Sequence, residues 1–137
     1  MPAVTHILES SLYARDLAVT AAFYKRVLGL TAMLETPRLV AFDAGRASVL
    51  LIFQDGATAN DIVTPSGTVP GHDAAGRLHF ALGIEAESLA DWRARLQSNN
   101  VPLTGEMRWE RGGTSLYFND PDGHVVELAT PGLWRNY

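Results

Sequence analysis

Apolar and polar positions along this chain fall into two similar series. Residues 6–14, "HILESSLYA", alternate as a strand does. Leu8, Ser10, Leu12 and Ala14 share one face, while Glu9, Ser11 and Tyr13 share the other. "RDLAVTAAFYKRVLGL" then switches to helical spacing, with Val19, Phe23 and Val27 at intervals of four. Asp16 is placed to cap that helix and Gly29 to stop it. "RLVAFDAGRASVLLIF" predicts two strands joined at the turn signal "DAGR".

Residues 54–77 carry no apolar period and are rich in Gly, Thr, Pro and Asp. They predict a long loop, a feature often functional in compact domains. The first pattern then returns. "RLHFALGIEA" predicts a strand, and "SLADWRARLQSNN" a helix with Ser88 and Asp91 in capping-box spacing. "TSLYFNDPDGHVVELAT" predicts paired strands around "DPDG". Each half therefore reads as strand, helix, then paired strands. Setting Glu9 against His79 aligns Leu12 with Leu82, which marks a weak internal repeat.

Composition narrows the chemistry. The 137 residues fit one domain, and 47% apolar with 19% charged content supports a packed core. The net charge is −4 and the basic residues are scattered, so nucleic acid is not an expected partner. No apolar run is long enough to span a bilayer, and no basic-then-apolar leader opens the chain; the expected location is the cytoplasm. There are no cysteines. Disulfides, thiolate metal sites and thiol nucleophiles are thereby excluded, and any metal must be held by nitrogen or oxygen ligands.

His6 and Glu9 are the first candidate ligands, and in one regular strand they point opposite ways. Parity places His6 on the apolar, helix-facing side, or in the fraying start of the strand, and Glu9 on the other. In the second series, His79, Ala81 and Gly83 share a face, and the small residues beside His79 leave space for a ligand. Glu127 lies on the face of its strand opposite Val126 and Leu128. Tyr117, ten residues earlier across "DPDG", is placed to pair with Glu127. Two carboxylates and a histidine on converging faces would be costly to bury without a cation, at several kcal/mol per buried charge. His6, His72 and His124 read as surface or loop residues, with His72 placed to cover a site from the long loop.

The repeat together with "LYARDLAVTAAFYKRVLGL" (12–30) and "GGTSLYFNDPDGHVVEL" (112–128) resembles the vicinal oxygen chelate superfamily. That group includes glyoxalases, extradiol dioxygenases, fosfomycin-resistance transferases and bleomycin-resistance proteins. The resemblance implies an α+β fold of two βαβββ modules forming a half-open barrel around a metal or ligand cleft. The expected modules span about 5–55 and 77–132, with a linker loop at 56–76, within one domain of residues 1–137. The superfamily's first-strand ligand, usually His, lies seven residues before the Asp that starts the helix. Counting back from Asp16 gives Glu9, a departure in residue type. Its second and third ligand positions match His79 and Glu127. The fourth ligand of glyoxalases would come from "SVLLIFQ", where Leu51 stands near the expected place.

The resemblance implies a divalent-metal-dependent enzyme of glyoxalase or dioxygenase type, a lyase, isomerase or transferase. Its small-molecule substrate would chelate one divalent ion per site (Mn, Fe, Zn or Mg) through neighbouring oxygens. Tyr117 and Glu127 are the expected catalytic residues, and Glu9, His79 and Glu127 the expected metal ligands. Ser11, Tyr13, Phe53, Trp109 and Arg111 are expected to bind substrate, with Trp134 as a further apolar wall. The alternative is a metal-free binding or sequestration protein of the bleomycin-resistance type, or a degenerate member with a structural role. A homodimer is the expected assembly, since half-barrels expose sheet edges.

Overall fold

A computed structural model describes residues 1–137. It divides into two units, Met1–Gly76 and Arg77–Tyr137. The first contains β1 (Glu9–Ala14), α1 (Leu17–Phe23), β2 (Thr31–Glu35), β3 (Leu39–Asp43), β4 (Val49–Gln54), β5 (Ile62–Thr64) and β6 (Gly67–Val69). The second contains β7 (His79–Gly83), α2 (Leu89–Ser98), β8 (Gly105–Arg108), β9 (Thr114–Asn119) and β10 (Val125–Ala129). Each unit builds a four-stranded sheet of the same order, β1-β4-β3-β2 and β7-β10-β9-β8. In each, the first strand pairs parallel with the last, and the remaining pairs are antiparallel. These are two βαβββ modules, as the resemblance implies; the repeat read from the apolar pattern has one strand fewer in each half, and β2 and β8 are the strands it misses. Neither sheet closes into a barrel.

In the first unit, Asp16 caps α1 as expected by accepting from Val19 N at 3.2 Å. The helix does not hold a regular period. After Phe23 it widens into a π-helical turn, Tyr24–Leu28, which ends at Gly29 with φ of +69°. A left-handed φ of this kind favours glycine, so Gly29 is the stop signal the sequence advertises. The helix and this turn together bury Leu17, Thr20, Ala21, Phe23, Tyr24, Val27 and Leu28. Val19, read as a core position from its spacing, is exposed. Leu12 and Ala14 of β1 join Phe42, Leu50 and Ile52 in the core. The larger of these side chains, Leu12, Phe42, Leu50 and Ile52, each contribute roughly 1.5–3 kcal/mol on full burial.

Three expectations about element limits change. The first strand begins at Glu9 rather than at residue 6, and residues 1–8 precede it exposed and without regular structure. The segment 54–77 is not featureless: β5 and β6 pair as a short hairpin with all six residues exposed. Its lack of apolar period reflects exposure on both faces, not absence of structure. Ser88 makes no cap of the expected type. A 3-10 turn at Ala86–Ser88 places Ser88 in a helical conformation, and its hydroxyl donates back to Glu85 O at 2.7 Å.

In the second unit, Leu96, Val101, Leu116, Phe118, Val126 and Leu128 are buried. The "DPDG" turn forms as read. Asp120 Oδ1 accepts from the backbone of Asp122 and His124, each at 2.9 Å, and Gly123 takes φ of +82°. His124 is buried rather than on the surface. Its Nδ1 accepts from Leu78 N at 3.0 Å, tying the turn to the approach of β7. No helix of the chain is long and apolar enough to cross a membrane.

Candidate metal centre

The chemistry of the second unit converges on Glu127. β10 pairs Glu127 with Tyr117 on β9 and with Ala81 on β7. Parity then brings Ser115, Tyr117, His79 and Glu127 to the sheet face away from Leu116, Phe118 and Val126. Glu127 is nevertheless only 5% exposed. Its Oε1 accepts from Ser115 Oγ and from the Tyr117 hydroxyl, the latter at 3.2 Å. Trp109 Nε1 donates to Ser115 Oγ at 2.8 Å. The other oxygen, Oε2, stands 3.2 Å from His79 Nε2.

The tautomer of His79 decides what that last contact means. His79 Nδ1 lies 3.0 Å from Val125 O, which can only accept, so Nδ1 carries a proton. A neutral ring then aims the Nε2 lone pair at a carboxylate oxygen. Two lone pairs at this distance repel unless a proton or a cation lies between them. Two ligand atoms each about 2.1 Å from one ion are separated by about 3.0 Å at a right angle and about 3.4 Å at a tetrahedral angle. The observed spacing falls in that interval. A histidine donating its second nitrogen to a backbone carbonyl is also the usual support of a metal-ligating imidazole. The donor set thus fits a divalent ion. Within either unit, no three His, Asp or Glu side chains are gathered to hold a metal; His79 and Glu127 stand as a pair.

Burial pushes the Tyr117 hydroxyl above its ordinary pKa of 10.0; the Glu127 charge adds to this, and the neighbouring Ser115 hydroxyl opposes it. Tyr117 is therefore a protonated donor at neutral pH.

The first unit presents Glu9, Ser11 and Tyr13 on one face of β1, as parity predicts, with Leu12 and Ala14 buried on the other. Glu9 is exposed, and Leu51 lies in register with Ser11. These residues line a cavity of about 580 Å³ together with Arg38, Phe53, Asn60 and His72. The Tyr13 hydroxyl and His72 Nδ1 are 2.7 Å apart, and the Phe53 and His72 rings meet edge-on at 4.7 Å. His72 thus covers this face from the long segment. Its place is held by a pair of bonds: His72 N donates to Thr58 O and Thr58 Oγ1 to His72 O, each at 2.8 Å.

Other expected site residues are placed as follows. Trp109 reaches Glu127 through Ser115. Arg111 is exposed in the tight turn Trp109–Gly113, closed by Trp109 N donating to Gly113 O at 2.8 Å. Trp134 is 71% exposed. His6 sits before β1, 2.9 Å from Thr5 Oγ1. Ser115 and Asn60 were not singled out from sequence. Ser115 had a signal, since it shares parity with Tyr117. Asn60 had none, because its segment lacks any period.

Residues 3–128 match the Glyoxalase/Bleomycin resistance protein/Dioxygenase superfamily. The chain belongs to this superfamily, that of the vicinal oxygen chelate enzymes. Among its relatives, the metallothiol transferase FosB of Bacillus licheniformis is 31% identical over 132 residues, covering 96% of this chain and 77% of that protein. FosB of Staphylococcus saprophyticus is 30% identical over 119 residues, covering 86% and 72%. The crystal structure of a lactoylglutathione lyase from Agrobacterium tumefaciens superposes with a TM-score of 0.87 at 32% identity, covering 96% of this chain and 98% of that one.

Proposed function

We propose that this chain is a divalent-metal-dependent vicinal oxygen chelate enzyme, with Glu9, His79 and Glu127 as its protein ligands. Its substrate is a small molecule presenting two neighbouring oxygens. The observation that carries this reading is the His79–Glu127 pair: an imidazole nitrogen with its proton engaged elsewhere, 3.2 Å from a buried carboxylate oxygen. A bound divalent ion would supply Lewis acidity toward the substrate oxygens. Tyr117 keeps its proton, which it donates to Glu127 Oε1 here, and is the group placed to turn that hydrogen bond toward a developing oxyanion. Ser11, Tyr13 and Phe53 shape the substrate-facing wall of the first unit. Trp109 supports Glu127 rather than forming a wall, and Arg111 is the anchor for an acidic substrate group.

The relatives name two reaction classes, thiol transfer and glyoxalase-type lyase chemistry. Leu51 favours the first. It occupies in β4 the register that Glu127 occupies in β10, and it cannot ligate. Three protein ligands leave more of the coordination shell to substrate than four do. For assembly we propose a homodimer. Supporting it, Ile7, Leu8, Met33 and Leu34 are exposed, the last two on the edge strand β2.

Elemental analysis of purified protein, with and without Mn(II) reconstitution, tests the metal. About one ion per chain in the wild type is expected, with loss in Glu127→Ala and in Glu9→Ala. A wild type that holds no ion and binds none on titration removes the reading. Retention in Glu9→Ala with loss in His6→Ala would replace Glu9 by His6. Sedimentation as a monomer would remove the dimer.

A further inference from the structure

We propose that Ser115, oriented by Trp109, is a positioning residue that dedicates one oxygen of Glu127 to the protein and the other to the metal. The inference rests on the metal reading above. An indole N–H can only donate, so Trp109 Nε1, 2.8 Å from Ser115 Oγ, fills an acceptor site of that hydroxyl. The hydroxyl proton is thereby directed to Glu127 Oε1. Tyr117 donates to the same oxygen at 3.2 Å. Oε1 thus receives two hydrogen bonds and Oε2 none from these donors, while Oε2 alone faces His79 Nε2.

Ser115 is 0% exposed, so water does not readily replace its hydroxyl. Without that bond the carboxylate can turn about its terminal torsion, which is broad and roughly two-fold, and exchange its oxygens. With it, Oε2 is presented in one orientation. The same chain of bonds makes Trp109 a reporter. A cation on Oε2 draws charge from Oε1, weakens its pull on the Ser115 proton, and alters the hydrogen bond made by the indole.

The experiment uses the full chain. Mn(II) affinity is read from the electron paramagnetic resonance signal of the free ion, and tryptophan emission is read during Zn(II) titration. Ser115→Ala should retain the wild-type far-ultraviolet circular dichroism and lose roughly 10–100-fold in Mn(II) affinity. Ser115→Thr, which keeps the hydroxyl, should recover most of it. Trp109→Phe should still bind Mn(II), several-fold more weakly, and lose the emission change. Wild-type affinity in Ser115→Ala overturns the inference and leaves the metal reading standing. If Ser115→Ala does not fold, Trp109→Phe decides: unchanged affinity with a persisting emission change overturns the inference. A wild type that binds neither ion overturns both.

Discussion

The two units share strand order, and share register across β1-β4-β3 and β7-β10-β9, yet only one is equipped to hold a charge out of water. His79 pairs with Val125 at the start of the second sheet, and Glu9 pairs with Val49 at the start of the first. Two residues on, Glu127 in β10 corresponds to Leu51 in β4. The Glu127 partner on β9 is Tyr117, and the Leu51 partner on β3 is Ala41. Ser115 opposes Ala129, and Leu39 opposes Phe53. The second unit therefore surrounds its carboxylate with hydroxyl donors, whereas the first sets a half-buried leucine at that place, beside Leu39, Ala41 and Phe53 and in register with Ser11. A common backbone accommodates either, because strand pairing uses main-chain groups and leaves each face free to vary. What distinguishes the units is the set of groups able to stabilise a buried anion, not the fold.

The largest expected effect comes from removing that anion. Glu127→Gln keeps the volume and should lower metal affinity at least about 100-fold, beyond the 10–100-fold typical of losing a supporting partner. Leu51→Asn should leave affinity unchanged. Equilibrium dialysis with Mn(II) measures both, and a comparable loss in the two variants would erase the asymmetry.

A smaller effect comes from imposing the second unit's pattern on the first. Leu51→Glu would set a carboxylate diagonally beside Glu9, as Glu127 lies beside His79, but among Leu39, Ala41 and Phe53. It should destabilise by about 1 kcal/mol in urea unfolding, the low end for a polar group left without partners, because the position is half-buried and pairs with Ser11. Adding Glu9→His supplies a partner and should recover part of this loss. Recovery to full wild-type stability would show that Ser115 and Tyr117 are dispensable to such a pair.

The helices differ in a way that stability also reads. Asp16 caps α1 through Val19 N, whereas the Ser88 hydroxyl bonds back to Glu85 O. Asp16→Ala should cost about 1 kcal/mol, the typical value for a lost N-cap. Ser88→Ala should cost less than Asp16→Ala, because no orphan helix N–H depends on that hydroxyl. Thermal melts compare the two, and equal shifts would mean that the cap contributes nothing.

The same contrast explains what could be read from the chain. Parity placed Glu9, Ser11 and Tyr13 on one face and set Tyr117 opposite Glu127, because alternation is a direct consequence of strand geometry. Asp16 and Gly29 were legible because each performs a local task that its residue type suits. Val19 misled because the buried stripe of α1 runs through Leu17, Thr20, Ala21 and Tyr24, and Val19 lies outside it although it is four residues before the buried Phe23. The β5–β6 hairpin was invisible because it buries no face. Ser115 was passed over because a strand serine carries no sign of burial; its role depends on Trp109 folding back from the preceding turn.

The smallest expected effect is at alkaline pH, where Tyr13 in the first unit and Tyr117 in the second stand above the ordinary 10.0. Burial raises both, with Asp73 adding to Tyr13 and Glu127 adding to Tyr117. A raised folded-state pKa means that the folded protein holds the proton more tightly than the unfolded chain. The associated stability is fully present below pH 10.0 and is lost as pH rises through the folded values. Ultraviolet difference titration of tyrosinate, each variant against its own Tyr→Phe control, isolates each group. Asp73→Asn should lower the Tyr13 value and leave Tyr117 unmoved. Glu127→Gln should lower the Tyr117 value only in part, since desolvation is its main cause and stays in place. A complete return of Tyr117 to 10.0 in Glu127→Gln would mean that the charge, not burial, governs the second unit. The carboxylate would then be the dominant field on that face, rather than an anion held in place by the groups around it.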